Sequence, residues 1–432
     1  MKQEKLVDAI GLLPDEILEE TNVVRTKSPQ PSQEDITTKT NHFTITKLLG
    51  KKTFSYKWIG VAACATLLLC GGLLLTTSRL ISDRHTDEIS TDLAMLAITT
   101  QQPPSESGAG GGFQAYDISE WINNNPWNED ANLTTLPVYR NQLTYNDQFQ
   151  IQGTDFDKMH TLLLEVIDGL ELDTNDFDIS DNAPNAYLQQ VITEKLGGKV
   201  PEGYFNPTGL LARSENILIE VSADLTAKIS FDPSVALPDK YQFAHFASYE
   251  DMLSAADYLK KTYQDLLSFR KPQANIYGGD YNNVLEQSYN IEFFEGNGSL
   301  AEQIINYNFN RVAFYCDDDG KLFLARVFRP DLSEKVGDYP IISVETATKQ
   351  LLAGEYYYPT SSENPNADCI ARVELIYRTG QYEEYFMPYY LFYVELPEME
   401  REGGLKTYGL YYVPAVEEKY ITNTPSHYPY VG

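Results

Sequence analysis

The chain has 432 residues, with 33 Lys and Arg against 62 Asp and Glu and a net charge of −29 at pH 7. Nucleic acids, anionic lipids and wall polymers are bound through basic patches, so this charge argues against all three as partners. Five histidines leave little material for metal or acid–base sites, and the sequence predicts no cofactor.

Residues 1–57 are predicted to be a short cytoplasmic segment. Leu6, Ile10 and Leu13 recur at the spacing of one helix face, which is typical of an amphipathic, partner-binding helix. Pro14 and the acidic residues after it favour a second short helix, and a linker rich in Thr, Ser and Pro follows. Two short helices cannot bury a core of their own, so the segment either binds a partner or is loosely ordered.

The stretch from Trp58 to Thr77 is predicted to be a transmembrane helix, because it contains no charged residue and no proline. About 20 residues at a rise of roughly 1.5 Å span roughly 30 Å, the thickness of the hydrocarbon core of a bilayer. The run is apolar all round, whereas a helix in a soluble core would show a polar face. A cleaved signal peptide would have a much shorter charged leader, so the segment is interpreted as an uncleaved anchor.

Lysines set the predicted orientation in the cell membrane. Between Ile36 and Lys57 the chain has lysines and no Asp or Glu, whereas acidic residues soon follow Arg79. Because Lys and Arg resist translocation, this asymmetry predicts a single-pass protein with a cytoplasmic N-terminus and an extracellular C-terminal domain. Residues 78–115 are predicted to be a stalk, helical as far as Ile98, followed by a flexible tether rich in Gly and Pro.

Residues 116–432 are predicted to form an exterior domain of the α+β class, with antiparallel sheets covered by helices. Three helices are indicated by their cap residues, Thr154, Ser248 and Ser343, and Gly354 is expected to end the third. Their predicted core faces are Phe156, Met159, Leu163, Ile167 and Leu170; Met252, Ala255, Leu259 and Leu266; and Val344, Ala347 and Leu351.

Alternating apolar residues predict strands between and after these helices. A joint near residue 272 could divide the domain into two subdomains. The predicted strands are Ile217–Val221 with Lys228–Phe231, the hairpin of Asn308–Tyr315 with Lys321–Phe328, and Ile370–Arg378, Tyr385–Leu396 and Lys406–Val413 in the C-terminal third.

Tyrosines are concentrated in the last two strands, where rigid amphipathic aromatics could recognise a sugar or a peptide. Alternation sends Tyr389, Leu391 and Tyr393 to one side of the strand and the residues between them to the other. Since both sides are apolar, the strand is either buried on both faces or lends one face to a groove. The candidate ligand-binding residues are Tyr389, Tyr390, Tyr393 and Tyr411.

Two acidic runs and two cysteines are further candidates for chemistry. Residues 317–320, Asp-Asp-Asp-Gly, could bind calcium but are more typical of a hairpin turn. Residues 173–181 lack the spacing of an EF-hand and are interpreted as a solvated loop. Cys316 and Cys369 could form one disulfide or remain two free thiols. The sequence contains no glycine-rich nucleotide motif and no hydrolase or metalloprotease motif, so it predicts a protein that is not an enzyme.

Two stretches resemble known families. Lys5-Leu6-Val7-Asp8-Ala9-Ile10-Gly11, followed by Asp15-Glu16, a linker and the anchor, resembles single-pass proteins of Gram-positive bacteria with an anti-sigma-factor-like N-terminus. It lacks the His-x-x-x-Cys-x-x-Cys motif of the zinc-binding class. Asp338–Ser343 with its helix, and Met387–Val394, resemble the exterior domains of YycH/YycI-type regulators. These resemblances imply a sigma factor or a membrane sensor kinase as partner.

The sequence therefore leaves two hypotheses for function. In the first, the protein is a membrane-anchored, non-enzymatic signalling regulator, with an exterior sensing domain and a cytoplasmic segment that binds a partner. In the second, it is an exterior binding module for envelope glycan or peptide, and residues 1–57 are a passive tail. The apolar stripe of Leu6, Ile10 and Leu13 favours the first, because a passive tail has no use for it.

Overall fold

The structure is a computed structural model that describes residues 93–99, 112–145, 150–356 and 365–423, all of which lie in one unit, Asp92–Gly432. Its α-helices are α1 (Phe156–Gly169), α2 (Ala186–Lys195), α3 (Tyr249–Thr262), α4 (Gln264–Leu267), α5 (Leu300–Phe309) and α6 (Val344–Ala353). Its strands are β1 (Phe113–Ala115), β2 (Thr135–Arg140), β3 (Thr144–Tyr145), β4 (Ile151–Gln152), β5 (Asp178–Asp181), β6 (Gly209–Arg213), β7 (Ile217–Ser222), β8 (Thr226–Val235), β9 (Pro272–Tyr281), β10 (Gln287–Glu295), β11 (Arg311–Cys316), β12 (Leu322–Phe328), β13 (Lys335–Pro340), β14 (Ile370–Tyr377), β15 (Tyr385–Phe386), β16 (Pro388–Glu395) and β17 (Lys406–Pro414).

The predicted helices are confirmed, with two differences: the first begins one residue later than predicted, and the second ends at Thr262, so that Leu266 lies in the separate short helix α4. The Ser248 hydroxyl accepts from the Asp251 amide at 3.2 Å and the Ser343 hydroxyl from the Thr346 amide at 3.2 Å, as their cap positions predicted. Gly354 ends α6 at a φ of 86°. The first helix is capped by Asp155 rather than by Thr154, because the carboxylate of Asp155 accepts from the Lys158 amide at 3.0 Å.

The largest sheet has eight antiparallel strands in the order β5-β6-β7-β8-β12-β11-β10-β9. Helices α1 and α3 cover one face of this sheet, where alternate strand residues such as Val312 and Phe314 are buried against them. The residues between these, Arg311, Ala313 and Tyr315, belong to the opposite face. One apolar layer therefore covers the side of α1 and α3, and the other side carries polar groups where α5, which packs on Phe294, does not cover it.

The C-terminal strands form two smaller sheets, a four-stranded one in the order β1-β17-β16-β14 and a three-stranded one in the order β13-β2-β15. Helix α5 contacts both β10 of the large sheet and β14, and α6 packs on β17. A second core forms here from residues of α5, α6, β14, β16 and β17. The sheets are antiparallel and are accompanied by a few helices, so the α+β prediction is confirmed for the described residues.

The last part of the predicted helical stalk, residues 93–98, is not helical, and residues 79–92 lie outside the described residues. Leu96 makes a parallel bridge with Ile421, and the amide and carbonyl of Ile98 both bond to the side chain of Asn423. Leu96 is 0% exposed and packs with Val138 and other buried side chains. This short segment is therefore part of the domain core, because its apolar side chains Leu96 and Ile98 are buried there.

A close approach of two backbones fixes the edge of the large sheet. Ile122 and Gly278 exchange two hydrogen bonds, at 2.8 and 3.1 Å, so that the segment before β2 pairs with β9. Gly278 has a φ of +130°, and a Cβ atom there would lie 2.3 Å from the Ser288 carbonyl oxygen.

Pro272, where the sequence suggested a joint between subdomains, is the first residue of β9.

Candidate functional site

An open cleft of about 230 Å³ lies on the face of the eight-stranded sheet opposite α1 and α3. It extends over strands β8 to β12 and reaches the turn after β14. Its lining residues are Asp224, Thr226, Tyr277, Glu292, Arg311, Ala313, Tyr315, Arg326, Phe328 and Thr379.

Strand register brings these side chains together from distant parts of the chain. Ala313 lies opposite Glu292 on one side and opposite Arg326 on the other, so these three residues form one row across β10, β11 and β12. Arg311 lies opposite Phe328 in the adjoining row. Because side chains alternate between the two faces of a strand, all of them face away from α1 and α3, on the side where Phe294 of β10 packs against Tyr307 of α5.

Glu292 is a buried carboxylate, 6% exposed, with both oxygens engaged. One oxygen accepts from the Asn275 side-chain amide at 3.0 Å and the other from Nη1 of Arg311 at 3.4 Å. Asn275 in turn accepts from the backbone amide of Asn124 at 2.7 Å. The carboxylate is thus held by protein donors, as a buried charge requires.

The two arginines of the cleft differ in the contacts that they make with the rest of the protein. The guanidinium of Arg311 lies 5.1 Å from the centre of the Phe328 ring, and its buried Nε has no hydrogen-bond partner among the described residues. Arg326 is exposed and lies 6.0 Å from the centre of the Tyr315 ring. Within the described part of the chain, Arg326 makes neither a hydrogen bond nor an ion pair.

Among the remaining polar groups of the cleft, the carboxylate of Asp224 accepts hydrogen bonds from the protein, whereas the hydroxyl of Tyr277 is a donor without a partner among the described residues. The carboxylate of Asp224 accepts from the amide and the hydroxyl of Thr226, at 3.1 and 2.9 Å. Burial, followed by the nearby charge of Glu292, raises the pKa of Tyr277, so its hydroxyl stays protonated and can donate. The cleft therefore offers hydrogen-bond donors without a protein partner in the described ranges, while its two guanidinium groups are balanced in formal charge by the carboxylates of Glu292 and Asp224.

The four tyrosines that the sequence singled out lie elsewhere, in the C-terminal sheet. Tyr389 packs on one side of β16 and Tyr390 on the other, which confirms the predicted alternation. Of the two alternatives for this strand, burial on both faces is the one observed, and in this structure none of the four offers a surface to a ligand. Their exposed fractions are 1% for Tyr389, 3% for Tyr390, 3% for Tyr393 and 0% for Tyr411.

These tyrosines are held by specific contacts within the core. The Tyr390 hydroxyl donates to the Ile342 carbonyl at 2.8 Å, and burial raises the pKa of Tyr390 to about 12. The Tyr393 hydroxyl donates to the buried carboxylate of Glu374 at 3.1 Å. The Tyr411 ring lies edge-on to Tyr356, with ring centres 5.0 Å apart. The tyrosines are therefore framework residues of β16 and β17.

No protein-family model and no curated protein matches this chain. Among solved structures, it is similar to an uncharacterized protein from Eubacterium rectale ATCC 33656, determined at 1.45 Å resolution. The two sequences are 14% identical, and the similarity covers 66% of this chain and 84% of the other, with a TM-score of 0.30. At that TM-score the similarity assigns neither a fold family nor a function.

The acidic runs and the cysteines have structural positions. Asp317 opens the turn between β11 and β12, where its carboxylate accepts from the Asp319 and Lys321 amides at 3.0 and 2.8 Å, so the predicted hairpin is confirmed. Asp178 and Asp181 end the edge strand β5, in place of a loop. Among the described residues, no group of three or more His, Cys, Asp or Glu side chains is arranged to hold a metal ion.

Both cysteines of the described domain are free thiols. Cys316 is buried beneath the helical face of the large sheet, whereas Cys369 packs at the margin of the C-terminal core. Burial raises the pKa of the Cys316 thiol to about 11, so this thiol stays protonated and unreactive at neutral pH.

The predicted partner-binding residues Leu6, Ile10 and Leu13 lie outside the described residues, as does the predicted span Trp58–Thr77. Within the described ranges, no helix combines the length and the apolar character needed to cross a bilayer.

Proposed function

We propose that this protein is a membrane-anchored, non-enzymatic signalling regulator whose C-terminal domain binds a small ligand outside the cell. The observation that carries the proposal is the cleft on the eight-stranded sheet. It holds two guanidinium groups in a chain whose net charge is −29. One of them, Arg326, has no ion-pair partner among the described residues, so its charge is available to a ligand.

The state of the acidic groups in the cleft supports binding rather than catalysis. General acid–base chemistry needs a titratable group within reach of a substrate proton. Glu292 and Asp224, the carboxylates that line the cleft, each accept hydrogen bonds from protein donors on both oxygens. Neither is placed as a free base.

Sequence features support the membrane and signalling parts of the proposal. The uncharged run from Trp58 to Thr77, with lysines before it, is typical of an anchor whose N-terminal side stays in the cytoplasm. Leu6, Ile10 and Leu13 then give the cytoplasmic segment an apolar stripe for a partner, a sigma factor or a sensor kinase.

The second hypothesis, a glycan- or peptide-binding module with a passive tail, depended on exposed tyrosines. Tyr389 and Tyr411, which would have formed that face, are 1% and 0% exposed. No observation on the described domain favours this alternative.

A purification experiment with the full chain tests the proposal. The chain and its variant Leu6→Asp are isolated from membranes of the native host, and sigma factors and sensor kinases that co-purify are quantified. Leu12→Asp is the matched control, because residue 12 lies off the stripe at 3.6 residues per turn. We expect one sigma factor or kinase to co-purify with the wild type and with the control, and to be lost from Leu6→Asp. Equal recovery from all three chains, or recovery of neither class of protein, would overturn the signalling role.

A further inference from the structure

We infer that the cleft binds a small organic anion, whose carboxylate or phosphate group is held between Arg311 and Arg326. This inference rests on the proposed ligand-binding function and names the chemistry of its ligand.

The donors without a partner in the described part of the protein, rather than the net charge of the cleft, indicate the sign of the ligand's charge. Each of the carboxylates that line it already accepts two hydrogen bonds from the protein, as described above. The groups left over are donors: the Arg326 guanidinium, Nη2 of Arg311, and the hydroxyl of Tyr277, none of which bonds to another described residue. A ligand that satisfies them must supply acceptor oxygens, and guanidinium groups favour anionic ones.

Arg311 is oriented in advance for such a contact. Its Nη1 donates to Glu292, and its guanidinium carbon lies 5.1 Å from the centre of the Phe328 ring. An arginine held by one carboxylate and one ring loses less conformational entropy when it binds a second acceptor. The planar group can therefore present its remaining donors as a fork.

The position of Arg326 adds a second observation. Its direct neighbour across β8 is Lys228, so two positive charges face each other in an antiparallel pair. Such a pair is destabilising unless an anion lies nearby, and Glu220 of β7, which lies opposite Lys228 on its other side, offsets the charge of Lys228 but is not paired with Arg326. Since no acidic side chain of the described residues pairs with Arg326, a bound anion would supply the missing charge.

The size and the walls of the cleft limit the ligand. A volume of about 230 Å³ is below the roughly 300–1,000 Å³ of pockets for drug-sized molecules. Rings of Tyr277, Tyr315 and Phe328 form part of its surface, which suits a ligand with a carbon skeleton. A polymer chain is too large for it, and a small mono- or dicarboxylate or a small phosphorylated molecule fits.

Calorimetric titration of the purified full-length protein in detergent tests the inference. The probes are succinate, inorganic phosphate and the uncharged analogue succinamide. We expect succinate or phosphate to bind and succinamide not to bind. We expect Arg326→Gln to weaken binding about tenfold or more, because a tenfold change corresponds to the loss of about 1.4 kcal/mol, close to one charge-assisted hydrogen bond. Arg270→Gln, which removes the same charge at an exposed position outside the cleft, should bind like the wild type.

The possible outcomes distinguish a carboxylate ligand from a phosphorylated one. They also distinguish failure of this inference from failure of the proposed signalling role. Tighter binding of succinate identifies a carboxylate ligand, and tighter binding of phosphate a phosphorylated one. Binding of succinamide as tight as that of succinate, or no change in Arg326→Gln, would overturn the inference. Absence of binding by both anions would also overturn it. The signalling role would still stand, because its test is recovery of a cytoplasmic partner and uses no probe.

Discussion

The guanidinium of Arg378 lies 2.6 Å from the carboxylate of Glu383, and the two side chains are only 7% and 3% exposed. The carbonyl of Glu383 accepts from the buried side chain of Asn141, and Arg378 lies 5.4 Å from the centre of the Tyr389 ring. Burial raises the pKa of Glu383 to about 7, and the charge of Arg378 opposes that rise. The pair therefore makes the stability of this region depend on pH.

We predict that the free energy of unfolding falls as the pH rises from about 5 to about 8. The pKa of a Glu in an unfolded chain is about 4.3, so between that value and 7 the folded state binds the proton more tightly. The stabilisation is complete below the unfolded pKa and is lost as the pH rises through the folded one. It amounts to about 4 kcal/mol at most. Urea denaturation at a series of pH values measures it.

Two variants test whether Glu383 and Arg378 cause this pH dependence of the free energy of unfolding. In Glu383→Gln the fall over this pH range should be smaller than in the wild type, and an unchanged profile would assign the effect to other groups. Arg378→Met leaves the carboxylate buried without its cation, which should cost about 3–5 kcal/mol at pH 8. The same variant should lose less at pH 5.5, where a neutral Glu383 needs no cation.

We predict that Tyr390→Ala is a folding variant. The side chain is 3% exposed, packs edge-on against Trp127 with ring centres 5.8 Å apart, and donates to the Ile342 carbonyl. Removing such a ring should cost about 3–5 kcal/mol. A lowered melting temperature, measured by circular dichroism, would show it.

Tyr390→Phe is the matched control, since it keeps the ring and removes only the hydroxyl. It should cost about 1 kcal/mol, the usual net value of one hydrogen bond. A melting temperature of Tyr390→Ala within a degree or two of the wild type would mean that β16 is not buried on both faces.

We predict an extracellular C-terminal domain, which thiol labelling of intact cells can test. In a chain whose four native cysteines are replaced by alanine, Ser107→Cys should react with a membrane-impermeant maleimide. Ser28→Cys, in the predicted cytoplasmic segment, should react only after permeabilisation. Labelling of Ser28→Cys alone in intact cells would reverse the orientation.

The sequence was sufficient to predict helix caps and turns at positions where a single side chain determines the local structure. Ser248 and Ser343 were found as helix caps because the hydroxyl acts within one turn, and the turn at Asp317 was found because its carboxylate bonds to nearby amides. Helix α5 was missed, although Ser299 and Glu302 form a capping box that can be read from the sequence. Strand β9 was missed because Pro272 and two glycines lower its strand propensity.

The candidate site could not be found from local signals. Arg311 and Arg326 both lie in strands of the predicted hairpin, but their shared cleft depends on strand register. The contribution of Glu292 comes from β10, which the sequence did not indicate. The tyrosines of β16 were singled out instead, because alternation shows which residues share a face but does not show what covers that face.

The bonds of residues 93–99 have a consequence for the distance between the domain and the membrane. Ile98 is bound to Asn423, and Phe113 begins β1, so both ends of the predicted Gly- and Pro-rich tether belong to the same unit. We therefore expect that lengthening that tether would not increase the distance between the domain and the membrane. If Trp58–Thr77 crosses the bilayer, only residues 78–92 connect it to the domain, and at roughly 3.3–3.6 Å per residue they extend about 50 Å at most. On the proposed topology, we therefore expect the domain to stay next to the bilayer and its ligand to be present there.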